Sequence, residues 1–460
     1  MIAMTSSQIA EIVSGTLHGD VSEQSVLSVV VDSREVIAGS MFVAIPGERA
    51  DGHDFASAAR AAGAVVVLAQ RELAVPHILV TDTVAALGLL AKHVRAQLVD
   101  CTVIAVTGSS GKTSTKDLLA QLLERQGPTV AAHGSFNTEV GVPLTILRAS
   151  ISTRFLVLEM GMRGLGHIAY LCQIATPAIA VLLNIGSAHL GMLGSRAEVA
   201  QAKGEIIAAL PATGSAIMNA DDELVRTQAS RTQAQVVTFG VSPDADVRGD
   251  HVTLDEQARA TFELSNGRST ASVRLRVHGG HFVSNALAVA AVGLQIGIPI
   301  QDVAEGLTNA DIQSRWRMEV TQTPGAVTVI NDAYNANPES MDAALSTLTA
   351  MASGRRTWAV LGGMLELGSQ SPAQHAALGA RVAQLQISRL VCVGEETQVL
   401  RQAADAEVDW QGTSTWVPDA DSAIVLLREQ LAVTDIVLIK ASRGIGLERV
   451  ATALGDWEPQ

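Results

Sequence analysis

The chain has 460 residues, 48% hydrophobic but only 3% aromatic, a length for about three domains and an aliphatic interior suited to helices packed on parallel strands rather than sheet on sheet. Thirty-two basic residues against 46 acidic ones leave a net charge of −14, which excludes a global basic field for nucleic acid. Cys101, Cys172 and Cys392 are scattered and odd in number, fitting buried thiols in a reducing cytosol, and no apolar run reaches the roughly 18 residues of a membrane span.

A soluble, cytoplasmic α/β protein is therefore expected, and the elements run in that sense. Thr5 and Gln8 stand three apart, as in a capping box, before a short helix through Val13. Short strands follow, at Val26 to Val31, Ser40 to Ile45 and Asp51 to Phe55, with an alanine-rich helix over 56–62 and a strand over 64–68. They describe a small α/β unit over residues 1–99. The polar residues Asp32, Ser33 and Arg34 at the end of one strand fit either turn chemistry or a ligand.

The second unit, 100–315, opens on the β-branched run Cys101 to Val106, as in a strand covered on both faces. A turn follows, Thr107-Gly108-Ser109-Ser110-Gly111-Lys112-Thr113-Ser114, and then leucines at helical spacing up to the stop Gly127-Pro128. A glycine-rich turn between strand and helix is a phosphate cradle. Its amides and the positive end of the helix hold phosphate oxygens, Lys112 reaches the β and γ phosphates, and the Thr113 hydroxyl binds Mg2+. The spacing departs from the common G-x-x-x-x-G-K-[ST] loop, since position 106 is valine.

Two further apolar strands end in chemistry-bearing residues, one in Glu159 and one in Asn184 with His189 just beyond. Carboxyl ends of parallel strands meet at one crevice, so Glu159 is placed to hold Mg2+. Lys203 reads by default as a surface lysine near a helix start, and residues 247–279, with Asn266-Gly267 in the middle, as a β-hairpin appendage. A helix from Phe282 to Gln295 carries Asn285 on its first turns. The third unit, 316–460, alternates strands and helices in a doubly wound, Rossmann-like pattern. Its amide-rich loop Asn331-Asp332-Ala333-Tyr334-Asn335-Ala336-Asn337-Pro338 lies between a strand and the helix 339–350. No G-x-G-x-x-G supports a dinucleotide there.

Taken together, the T-G-S-S-G-K-T turn, Glu159-Met160-Gly161, the Asn184 to His189 segment, Lys203 and the loop N-D-A-Y-N-A-N-P-E-S-M resemble the Mur ligase family over the whole chain. The resemblance implies three domains, a UDP-sugar-binding unit, a P-loop ATPase unit and a Rossmann-like unit for the incoming amine. It also implies an ATP-dependent ligase of peptidoglycan precursor synthesis that joins D-alanyl-D-alanine to UDP-N-acetylmuramoyl-tripeptide through an acyl phosphate. Asp32-Ser33-Arg34 matches the family's UDP-binding first domain, which folylpolyglutamate synthase lacks. The G-C-G-G-D-R-D and Asp-Asn-Pro-Arg stretches of the preceding, single-amino-acid-adding ligase are not present.

Carried over residue by residue, the resemblance puts Thr107 to Ser114 and Lys112 on the phosphates, and Thr113 with Glu159 on a first Mg2+. His189 and a carbamylated Lys203 would serve a second ion. Asn137, Asn285, Asp332 and Arg317 would lie at the nucleotide, with Arg315 an alternative to Arg317. Asn335, His375, Lys440, Ser442 and Arg443 would lie at the dipeptide. A monomer is expected. Two other readings stand beside this one, a P-loop ATPase whose outer domains bind a protein and an inactive nucleotide-sugar binder, and both leave Glu159, His189 and Lys203 unexplained as a set.

Overall fold

The computed structural model describes residues 1–47, 50–187 and 190–458. Three large sheets follow one another along the chain, with a two-stranded antiparallel pair, Met4–Thr5 and Ser25–Val26, beside the first. The first has five strands, in the spatial order Thr16–His18, His77–Leu79, Val66–Ala69, Ser40–Val43 and Ser28–Val30, with the strand Thr16–His18 antiparallel at one edge. The Thr5 and Gln8 capping box forms ahead of helix Ser6–Ile12. Asp51 to Phe55 is not a strand. The Asp51 side chain accepts from His53 N, which winds Gly52–Phe55 into a 3-10 turn.

The central sheet has nine strands. Thr129–Ala131, Phe155–Glu159, Thr102–Thr107, Ile179–Leu182, Ser215–Asn219 and Gln235–Gly240 are parallel neighbours in that order. The expected hairpin appendage is instead a continuation of this sheet by three strands, Val247–Leu254, Arg259–Ser265 and Thr270–His278. Asn266-Gly267 turns between the last two, with Gly267 at φ +75°, while the first reversal, at 255–258, is made by the Asp255 carboxylate accepting from Gln257 N and Arg259 N. The third sheet has six strands, five parallel and the edge strand Glu319–Gln322 antiparallel to Thr328–Asn331.

Alternation along the central strands decides what packs where, because successive side chains leave a strand on opposite faces. Val103, Ala105, Leu156 and Leu158 join a core shared with the first unit, and Ile104, Val106, Phe155 and Val157 join one that runs into the third. The helix Thr83–Gln97 closes the first unit, yet its Leu87, Leu90, Ala91 and Val94 lie in one core with Val142, Ile146, Ile168 and Leu171 of the central unit. On the other face, Leu118, Leu119, Leu122 and Leu123 of helix Lys112–Glu124 are all buried, each contributing about 2 kcal/mol by removal from water. No helix among the described residues is long and apolar enough to cross a membrane.

Candidate active site

Thr107, Glu159, Asn331 and Lys440 each end a parallel strand, and the ends of the central and third sheets face one cavity of about 490 Å3. Its floor is the glycine turn. Gly111 precedes helix Lys112–Glu124 at φ +79°, and a Cβ there would lie 2.5 Å from Asn285 Oδ1, so both backbone conformation and space demand glycine. A helix leaves its first N–H groups without intrahelical acceptors, and the residues that carry them, Lys112 to Ser114, line the cavity. Asn184 holds the turn in shape. Its side chain accepts from Ser110 N at 2.9 Å and donates to Ser110 O at 3.2 Å, and its carbonyl accepts from Ser109 N.

Glu159 is buried and doubly engaged, accepting from Thr113 Oγ1 at 2.8 Å and from Asn137 Nδ2 at 2.7 Å. Lys112 donates to Gly108 O at 2.8 Å and Lys203 donates to the same oxygen at 3.1 Å. Lys203 is far from a surface lysine at a helix start. It is the last residue of helix Arg196–Lys203 and has no solvent exposure. Burial, and then the Lys112 charge, push its pKa well below the ordinary lysine value. Burial also lowers Lys112, against the pull of Glu159.

The third unit reaches over this floor. Arg317 donates to Thr113 Oγ1 at 3.0 Å while its guanidinium stacks on Tyr334, and Tyr334 shares a short hydrogen bond with Ser135. Arg315 is exposed and does not line the cavity, so Arg317 is the one of the pair at the site. Asn337 caps helix Pro338–Ala352 through Ser340 N and donates to Ser109 O at 3.2 Å. Glu339 accepts from both Ser187 N and Ser187 Oγ. Below, Lys440 pairs with Asp332 at 2.6 Å and donates to Asn335 O. His281, at the mouth of its helix, is lowered by burial to about 4 and is neutral.

The donor set suits a magnesium nucleotide. Hydroxyl, carboxylate and amide oxygens from Thr113, Glu159 and Asn137 are the hard ligands such an ion takes. Two buried polar atoms around the cavity, His281 Nδ1 and Arg317 Nε, have no hydrogen-bond partner among the described residues and are left to meet a bound group.

Known families match this arrangement in three consecutive segments: the Mur ligase family, catalytic domain over residues 26–100, the Mur ligase middle domain over 106–293, and the Mur ligase, glutamate ligase domain over 316–443. The UDP-N-acetylmuramoyl-tripeptide–D-alanyl-D-alanine ligase of Mycobacterium tuberculosis is 45% identical over 99% of this chain and 98% of its own. The chain belongs to the Mur ligase family. Among solved structures, MurF from Acinetobacter baumannii superposes with a TM-score of 0.87 at 31% identity, covering 98% of each chain. MurF ligase from Thermotoga maritima in complex with ADP does so at 0.79 and 31%, covering 93% of this chain and 97% of that one.

Within this Mur ligase, the expected site residues divide by position. Ser109 to Ser114, Asn137, Glu159, Asn285, Arg317, Asp332, Asn335 and Lys440 line the cavity. Thr107 and Gly108 lie beneath it, where Thr107 Oγ1 donates to Met160 O. His189 lies outside the described residues. His375 has both ring nitrogens engaged, Nδ1 donating to Ser371 O and Nε2 accepting from Met364 N, so it holds the backbone at Met364. Ser442 accepts from Leu365 N, and Arg443 stacks on Trp316 and pairs with Glu448; neither lines the cavity. Asp32 accepts from Arg34 N and pairs with the exposed Arg34 guanidinium, which holds its carboxyl at about 2, and this loop lies apart from the cavity.

The sequence reading passed over Ser135, Arg196, Asp222, Tyr334, Asn337 and Glu339, all of which line the cavity. Tyr334, Asn337 and Glu339 sit inside the amide-rich loop and its helix start, so that loop was signal enough to include them. Ser135, Arg196 and Asp222 carry no local pattern.

Proposed function

We propose that this Mur ligase joins D-alanyl-D-alanine to the terminal carboxylate of UDP-N-acetylmuramoyl-tripeptide with hydrolysis of ATP, acting as a cytoplasmic monomer. The single observation that carries this reading is that the phosphate turn of the central unit and the Asn331 to Asn337 loop of the third open onto one cavity. An acid and an amine held by different domains can meet there beside a triphosphate.

Lys112 and the amides of Gly111 to Ser114 hold and neutralise the phosphates while the peptide carboxylate attacks the γ-phosphorus and ADP leaves. Positioning and charge stabilisation do most of the work in such a transfer. Arg317 brings a fixed positive charge to the same point from the third unit, and its stacking on Tyr334 orients the planar fork. The dipeptide amine then adds to the acyl phosphate carbonyl and phosphate departs. Asn335 and the Lys440–Asp332 pair supply polar groups at that end of the cavity. Asp32, Ser33 and Arg34 are assigned to the uridine diphosphate.

Mg2+, when bound, screens the negative charge of the phosphates. Thr113, Glu159 and the amide oxygen of Asn137 would hold one ion, and His189 with a carbamylated Lys203 would hold a second. The burial of Lys203 beside the phosphate turn supports the carbamate reading. A fully buried amine with a depressed pKa is nucleophilic toward CO2, and the product replaces a cation by an anion.

The test is phosphate release in the presence of ATP, Mg2+, a UDP-muramoyl tripeptide and D-alanyl-D-alanine, omitting one component at a time. Release should need all of them. Equal rates with single amino acids would replace the assignment by that of a different Mur ligase, and release indifferent to the UDP-peptide would leave a plain ATPase.

A further inference from the structure

The free edge of the first sheet carries a cluster that the ligase reaction does not use. His18 ends the edge strand Thr16–His18 and His77 begins its neighbour, and the antiparallel register sets them directly opposite each other. Their rings stack with centroids 4.7 Å apart and planes 2° from parallel. Glu72, from the loop before His77, places its carboxylate oxygens 3.7 Å from His18 Nε2 and 3.2 Å from His77 Nε2.

The protonation pattern matters more than the proximity. His77 is 1% exposed, and its Nδ1 lies 2.9 Å from Val75 O. That contact requires a proton on Nδ1, so in the neutral ring Nε2 presents a lone pair. A histidine that donates one nitrogen to a backbone carbonyl and offers the other is the arrangement found behind metal-ligating imidazoles. Neither His77 Nε2 nor His18 Nε2 makes a hydrogen bond among the described residues; Glu72 stands 3.2 Å from the first and, at 3.7 Å, beyond hydrogen-bond reach of the second. Because the two rings stand in parallel planes, the partly exposed His18 ring has to turn out of the stack for both Nε2 lone pairs to meet one ion.

We propose that His18, Glu72 and His77 form a binding site for a divalent transition cation of the zinc type, separate from the phosphate cavity. Two imidazole nitrogens and one carboxylate oxygen match zinc and are too soft a set for Mg2+. The three donor atoms lie within 4.8 Å of one another. Tetrahedral ligands about 2.1 Å from an ion stand about 3.4 Å apart; the approaches of 3.7 Å to His18 and 3.2 Å to His77 are made by different Glu72 oxygens, so a small turn of this exposed side chain brings one oxygen to both nitrogens. Side-chain exposures of 37% for His18 and 67% for Glu72 give the ion access from solution and leave a fourth position to water. The ion would clamp the edge strand, the loop after Ala69 and the strand His77–Leu79 together.

The experiment uses the full-length protein stripped with a chelator, dialysed, and titrated with Zn2+ by calorimetry under saturating Mg2+. Co2+ serves in parallel as an absorption probe of a tetrahedral site. One equivalent should bind with a Kd on the order of micromolar or tighter and raise the Tm. His18→Ala and Glu72→Ala, both at solvent-accessible positions, should each weaken binding at least tenfold and abolish the Tm rise while ligase turnover stays within twofold. Lys112→Ala should bind zinc as the parent does. Absence of a one-equivalent site, or the same zinc affinity in both variants as in the parent, would overturn the proposal.

Discussion

Lys112 and Lys203 donate to one and the same acceptor, the carbonyl oxygen of Gly108, from 2.8 and 3.1 Å. Two ammonium groups on one oxygen repel, and burial adds to the cost of each charge. Lys112 has Glu159 to support its charge, whereas burial and then the Lys112 charge hold Lys203 well below the ordinary lysine value. Lys203 is thus the one of the two that gives up its proton first.

The first prediction follows from that difference. Lys203→Ala should lose activity by two or more orders of magnitude, on the order of removing one charge-stabilising group from a transition state. Activity should recover in part when acetate is added, since a free carboxylate can stand in for a carbamate. Labelled bicarbonate should give a carbamate carbon resonance in the parent but not in the variant. Because only the neutral amine reacts with CO2, the resonance and the activity should both fall as pH is lowered. Full activity of Lys203→Ala without any added acid would rule the carbamate out.

Gly111→Ala should weaken nucleotide binding severely. The added methyl meets Asn285 Oδ1 at 2.5 Å, and φ +79° is itself strained for alanine by about 1 kcal/mol. In Gly111→Ala/Asn285→Ala the clash is relieved and the backbone strain stays, so the melting temperature should recover further than the affinity. If Gly111→Ala bound ATP like the parent, the turn would not be the phosphate cradle.

His281 provides a pH signature. Its folded-state pKa of about 4 lies below the ordinary 6.5, because of burial first and the Lys440 charge after it, with Asp332 opposing. Above pH 6.5 neither state is protonated and the ring has no pH-dependent effect. As pH falls from 6.5 to 4 the unfolded chain takes up a proton that the folded one refuses, so stability declines, and the decline levels off below 4. A wholly dry site would lose roughly 3 kcal/mol over that interval, and the partly open edge of the ring reduces this. Urea midpoints between pH 7 and 4 should therefore fall less in His281→Gln than in the parent; parallel curves would show that the imidazole titrates normally.

The packing of helix Thr83–Gln97 bears on where the chain can be cut. A fragment 100–460 uncovers Val142, Ile146, Ile168 and Leu171, which Leu87, Leu90 and Val94 bury in the intact chain, and it should aggregate. A fragment beginning at residue 82 keeps that helix and its Asp82 cap. It should stay soluble, bind ATP and fail to bind the UDP-sugar. Retained UDP-sugar affinity in it would move that site out of the first unit.

What could be read from the sequence was what is local. The strand, the turn with its glycines and the leucine-spaced helix are written consecutively over 101–123, and the structure has them in that order. Glu159 was legible because a parallel strand delivers its last residue to a known edge. The depth of Lys203 was not, since the carbonyl its ammonium reaches inside the fold, Gly108 O, is 95 residues away. The third strand of the 247–278 meander was missed for a related reason. Its first reversal uses an aspartate side chain rather than a glycine pair, so no turn dipeptide marks it. Ser135 and Arg196 enter the cavity only because distant segments fold beside it.

Arg317 and Asn337 of the third unit hold onto Thr113 and Ser109 of the phosphate turn itself, not onto a neighbouring surface. The two halves of the cavity are then coupled energetically, because any ligand that favours this docked arrangement lightens the work of the other. Such coupling is reciprocal. Whatever factor ATP adds to the affinity for the amine substrate, the amine substrate must return to ATP, and Asn337→Ala, which loosens the docking, should weaken each ligand taken alone while changing the two factors by the same amount.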